Sequence, residues 1–187
     1  MSVRRRPWEE LPEVWKTEAA FLSWLRGGIR RAMWMRHPVK LEFIKNNSVE
    51  MVNTNPRSMK RFPTVKGAQC SKCGEVKRAA DMEVDHRTGE YSLRSIEDLQ
   101  RFIEGVVLVG MDDLAWLCKP CHEIKTHMER QGFQSWGEAQ ADKEAIAIGK
   151  KGVNVVKAWL KDHGVEPDTT AAKRRDQIFT VLKEKYK

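Results

Sequence analysis

Two pairs of cysteines carry the most specific chemistry in this sequence: Cys70 and Cys73 in C-S-K-C, and Cys118 and Cys121 in L-C-K-P-C-H. Paired C-x-x-C motifs can place four thiolates at the corners of a tetrahedron, the coordination of a closed structural zinc site. The two pairs use every cysteine in the chain. Between them lies M-E-V-D-H, with Asp85 and His86 adjacent, and His122 directly follows the last cysteine. A metal clip that closes this loop brings a carboxylate, a base and a further imidazole together. The cysteines alone also suit a plain four-cysteine ribbon, in which Asp85 and His86 would be surface residues.

The ordered set C-x-x-C, then V-D-H, then L-C-x-x-C-H-x-x-K-T is far more specific than any of its parts. It resembles the HNH nuclease family, also called the ββα-metal endonucleases, over about a third of the chain. The resemblance implies a metal-dependent DNA endonuclease, since hydrolysing a phosphodiester requires a base for water and a cation for the charge building on phosphate. In the family the histidine after the aspartate is that base, which is His86 here. The aspartate and the first polar residue of the final helix hold a catalytic Mg²⁺ or Mn²⁺, which implies Asp85 and His122. Cys70, Cys73, Cys118 and Cys121 would hold the structural Zn²⁺. The family's middle asparagine falls one residue before the leucine of L-x-x-L-C, where this chain has Asp113. An ionised carboxylate there can accept an orienting hydrogen bond but cannot donate one. Lys125 and Thr126 would steady a phosphate of the DNA or the helix itself.

The layout is similar to free-standing HNH and homing endonucleases of tailed bacteriophages, which nick or cut both strands. Two other readings fit parts of the pattern. A junction resolvase of the endonuclease VII type also pairs four zinc cysteines with Asp-His, but typically has asparagine where His122 stands. A zinc-stabilised DNA-binding protein without catalysis would need only the cysteines and the basic flanks.

Charge supports DNA as the partner. The net charge is +8, and it is unevenly placed: 14 basic against 6 acidic residues in 1–69, 9 against 13 in 70–141, and 11 against 7 in 142–187. Basic flanks suit phosphate backbones and an acidic centre suits hard divalent cations; solvated charged faces would give the same counts. No apolar run reaches the length that spans a bilayer, and M-S-V-R-R-R-P-W-E-E lacks the apolar segment of a signal peptide. The expectation is a cytoplasmic protein, in a host cell if phage-encoded, with neither a membrane nor a small-molecule substrate as partner. Reducing conditions there favour zinc over disulfides.

The elements that must position these residues give an α+β class, with a small zinc-clipped ββα-metal core between helical extensions. Three regions are expected: 1–66 basic and helical, 67–132 the nuclease core, and 133–187 helical, with a faint likeness to a SAP-like helix-extended-helix DNA-binding module. Arg4-Arg5-Arg6-Pro7 reads as a flexible basic arm. Thr17 caps a helix bearing Phe21, Leu22, Leu25 and Ile29 at helical spacing, weakened at Gly27-Gly28. Beyond it Arg26, Arg30, Arg31 and Arg36 interleave with Met33, Trp34 and Met35, a face for DNA or for packing. His37 reads as a solvated helix end, and 39–69 as short elements without chemistry. Met82 to Arg87 alternates as a strand with Val84 and Asp85 on opposite sides. Ser95 to Asp98 opens a helix that Gly105 ends, and Val106 to Val109 reads as a short strand. His127 reads as a helix-surface or phosphate-contacting residue. Helices follow over Ala139–Ile148, Val153–Lys161, packing Val155, Val156, Trp159 and Leu160, and Ala171–Lys185, packing Ile178, Phe179 and Leu182.

Overall fold

The fold is known from a computed structural model, which describes residues 5–89 and 92–187; Arg4 of the expected basic arm lies outside them. Helices and two small antiparallel sheets give the α+β class expected. The chain divides into two compact units, one ending at Cys118 and one spanning Lys119–Lys187. Among the described residues no helix is long and apolar enough to cross a membrane.

In the first unit α1 (Pro7–Glu10) is a single turn started by Pro7 at its first position, where the fixed φ of proline suits a helix. The arm is therefore helical from Pro7 onward. Helix α2 (Glu18–Ala32) begins as its sequence dictates: Thr17 Oγ1 accepts from the Ala20 amide at 3.2 Å. It runs unbroken through Gly27-Gly28. Burial of Leu22 with Leu93, Phe102 and Val106, and an Arg26 guanidinium donating to the Leu93 carbonyl at 3.0 Å, hold the helix past its two weak positions. After the 3-10 turn Trp34–Arg36 comes α3 (Pro38–Asn46), again opened by a proline. His37 is not solvated: it is half-buried, and its Nε2–H donates to the Val107 carbonyl at 3.1 Å.

Strands β1 (Val49–Val52), β2 (Thr64–Gln69) and β3 (Val76–Arg78) form one sheet with β2 in the middle. Buried Asn53 pins the connection between β1 and β2, its Nδ2 donating to the Phe62 carbonyl at 2.7 Å and to Ser58 Oγ at 3.1 Å. Strands β4 (Met82–His86) and β5 (Leu114–Cys118) form the second sheet, with Asp85 opposite Ala115 and His86 opposite Leu114. Met82 and Val84 are buried while Glu83 is exposed, as the alternation predicts; β5 is buried throughout. Between them α4 (Leu99–Val107) corrects the expected boundary. Gly105 does not end it, and no strand forms over 106–109: Phe102 and Val106, one turn apart, bury on Leu22 and Leu93, which draws Val106 into the helix.

The second unit is four helices: α5 (Lys119–Gln131), α6 (Trp136–Gly149), α7 (Val153–Asp162) and α8 (Ala171–Lys185). Ser135 and Thr170 cap α6 and α8 through their hydroxyl oxygens. Gly164, at φ 73°, ends α7 in a Schellman motif, with Val165 N–H bonding the Leu160 carbonyl at 2.9 Å. The core is Ala141, Ala145, Ile148, Val156, Leu160, Ile178 and Leu182. Buried Arg174 donates to the carbonyls of Asp168 and Thr169 and ties the extended connection to α8. Val155, expected to pack, is 48 % exposed, since Val156 and Leu160 take the inner face. Hence Leu160→Ala should cost about 2–5 kcal/mol of stability in denaturant unfolding, and Val155→Ala less than about 1 kcal/mol. Equal costs would mean that the helix faces are misassigned.

Candidate metal centre and the Asp85-His86 strand

Cys70 follows directly from β2, and the chain doubles back on itself there: Gly74 N–H bonds the Cys70 carbonyl and Cys70 N–H the Glu75 carbonyl, both at 2.9 Å. Gly74 adopts φ 74°, a conformation that glycine takes without steric cost. Ser71 fastens this knuckle to β5, its amide and hydroxyl both donating to the Trp116 carbonyl. Cys118 ends β5 and Cys121 lies in the first turn of α5. The four Sγ atoms all lie within 4.8 Å of one another, and Cys73 and Cys118 are 3.9 Å apart. Thiolates bound tetrahedrally at about 2.3 Å from zinc would be separated by roughly 3.8 Å. A disulfide would need about 2.05 Å, and none of the four cysteines is in one.

Electrostatics favour the ligand form. Burial pushes the Cys70 thiol up, but hydrogen bonds from the N–H groups of Cys118, Cys73 and Lys72 and from the Cys73 side chain together outweigh it and hold the thiol at about 6. The Cys118 amide contributes from 3.4 Å. Cys121 stands at the N-terminal end of α5, where the helix dipole stabilises a thiolate. Sulfur donors, spacing and lowered proton affinity therefore fit a tetrahedral metal such as zinc. Among the described residues this is the one group of three or more potential ligand side chains so placed.

Asp85 and His86 end β4 with half-buried side chains, His86 Nδ1 lying 3.8 Å from Asp85 Oδ1. Asp113 reaches this strand through its backbone: its carbonyl accepts from the Arg87 amide at 2.7 Å, while its carboxylate accepts from the Gly110 amide. The Asp113 side chain thus bonds its own turn, and its main chain bonds the end of the strand.

Two residues that no motif links to this strand complete its surroundings. The Trp34 indole stacks on the His86 ring, and Lys40 Nζ lies over that indole. Lys40 is 9 % exposed. Burial pushes its ammonium down, and the carboxylates of Asp85 and Glu83 oppose that shift. A lysine three residues before buried Phe43, on the inner face of α3, is the only hint the sequence offers.

In the second unit His122 is half-buried and lines a cavity of about 430 Å³ with Thr126, His127, Arg130 and Lys143. Lys125, read as a DNA contact, is buried, and its ammonium pairs with Glu129 at 2.6 Å. His127 is not a surface residue: it is half-buried, and its Nε2–H donates to buried Asp142 at 2.8 Å, which also accepts from Arg175. Arg30 and Arg31 are exposed in the last turn of α2. Comparison with family models, with curated proteins and with solved structures finds no match for this chain.

Proposed function

We propose that the chain is a metal-dependent DNA endonuclease of the HNH type that hydrolyses phosphodiesters. The observation that carries this reading is the order of elements around the cysteines. Asp85 and His86 end β4, β5 pairs with it and ends at Cys118, and α5 follows at once with Cys121 and His122 in its first turns. That order is the strand-strand-helix sequence the resemblance implies, and the cysteine cluster brackets it.

In this reading the imidazole of His86 takes the proton from the attacking water, because histidine is the side chain whose ordinary proton affinity suits a base near neutral pH. The Asp85 carboxylate and the His122 imidazole are the groups that would hold a divalent cation, Mg²⁺ or Mn²⁺. Both are partly accessible, and an oxygen and a nitrogen donor leave coordination positions for water and phosphate. Such an ion, when bound, supplies positive charge to the phosphate and the leaving oxygen. Asp113 holds the Arg87 amide and so fixes where β4 ends. The four cysteines hold a structural zinc.

DNA binding falls to exposed cations, of which Arg30 and Arg31 sit together at the end of α2. Lys125 serves Glu129 instead. Deleting residues 150–187 would be a poor test of the C-terminal flank, because Val156, Leu160, Ile178 and Leu182 are core. The double variant Arg30→Ala/Arg31→Ala should flatten the dependence of log K on log salt by roughly 1 to 2 units, since each lost phosphate contact removes nearly one unit of slope. An unchanged slope would remove these arginines from the DNA interface. Purified protein, incubated with supercoiled plasmid and Mg²⁺ or Mn²⁺ and then with EDTA, tests the activity itself.

A further inference from the structure

The His86 and Trp34 ring centroids are 4.4 Å apart and their planes are inclined by 22°. Lys40 Nζ lies 4.5 Å from the centroid of the same indole. Three elements thus meet: the 3-10 turn after α2, helix α3 and strand β4. An imidazole at the end of a strand has a broad χ2 well and does not hold its plane unaided. A near-parallel ring at this distance supplies that hold, and aromatic pairs contribute beyond the area they bury. Trp34 is itself anchored, because it packs against the cluster that Leu22, Leu93, Phe102 and Val106 form. Three residues on, the His37 bond to the Val107 carbonyl fixes the end of the same turn. Residues far before it in the chain thus lie against the face of the His86 ring.

We propose that Trp34 is a positioning residue for His86, holding the imidazole plane through the ring stack and making the N-terminal helices part of the catalytic centre. This rests on the nuclease reading above, in which His86 is the base. A purely structural tryptophan would lower stability without acting through His86.

The test uses the zinc-loaded full chain as parent, Trp34→Leu, Trp34→Phe, His86→Ala and the double variant His86→Ala/Trp34→Leu. Single-turnover cleavage of supercoiled plasmid in Mn²⁺, plasmid affinity, melting temperature and the NMR shifts of the His86 ring protons are measured. Trp34→Leu should cleave on the order of 10- to 100-fold more slowly at unchanged affinity, the scale of loss when a reacting group is misplaced. Trp34→Phe keeps a ring and should stay within about threefold of the parent. In the His86→Ala background Trp34→Leu should cost nothing further, because a residue acting through His86 has nothing left to act on. The His86 ring protons, shifted upfield by the indole in the parent, should move downfield in Trp34→Leu. Equal losses in both backgrounds, or a Trp34→Leu variant as fast as the parent, overturn the proposal and leave the nuclease reading intact. A parent that cleaves nothing with any divalent metal overturns both.

Discussion

Cys118→Ser should leave the protein unable to fold around its metal. Cys118 is the last residue of β5 and is 2 % exposed; its sulfur is 3.9 Å from Cys73 and its amide bonds the Cys70 sulfur. A serine hydroxyl would keep the shape and lose the thiolate, so the buried sulfurs of Cys70 and Cys121 and the exposed one of Cys73 would remain close-set without their fourth ligand. Structural zinc contributes folding free energy on the order of 10 kcal/mol, against a total stability of about 5–15 kcal/mol for an ordinary domain. Removing that term should take Met82, Val84 and the whole buried β5 strand out of their packing, because the knuckle fastened at Trp116 loses what closes it. Zinc content by atomic absorption should fall below one per chain, and near-ultraviolet dichroism should collapse. A Cys118→Ser protein that retains stoichiometric zinc and melts with the parent would refute the clip.

Local signals were legible wherever one residue decides one bond. Thr17 caps the helix expected to follow it, and the helices expected over 153–161 and 171–185 form within a residue of those bounds. The cysteine cluster was legible too, since C-x-x-C spacing is a local geometric statement. What failed depended on burial between distant segments. The run Gly105-Val106-Val107-Leu108-Val109 carries no periodicity that separates strand from helix, and packing on Leu22 decides it. Val155 and Val156 are equally apolar, and only the position of α8 sorts them. His37 and His127 look like surface histidines because their partners, the Val107 carbonyl and Asp142, lie 70 and 15 residues away. The Trp34 and Lys40 contacts at the candidate site escaped for the same reason.

His86→Ala should lose roughly 2 to 4 orders of magnitude in the rate of DNA cleavage, the usual worth of positioned proton transfer. Zinc content and DNA affinity should stay close to those of the parent. His86 lies one residue beyond Asp85 at the end of β4, outside the cysteine cluster, and truncating it removes no ligand of that centre. The stack on Trp34 is lost as well, so a modest fall in melting temperature is expected and must be separated from the rate. Asp85→Ala and His122→Ala should fail in another way. If they hold the catalytic cation, their defect is one of metal affinity, and activity should recover in part as Mg²⁺ or Mn²⁺ is raised. The His86 variant should not respond, because added cation cannot replace a base. Three variants that all recover with metal would move the base elsewhere. A His86→Ala protein as active as the parent would take the role of base away from His86, and a parent that cleaves nothing with any divalent metal would leave the cysteine centre as structure only and the chain as a DNA-binding protein at most.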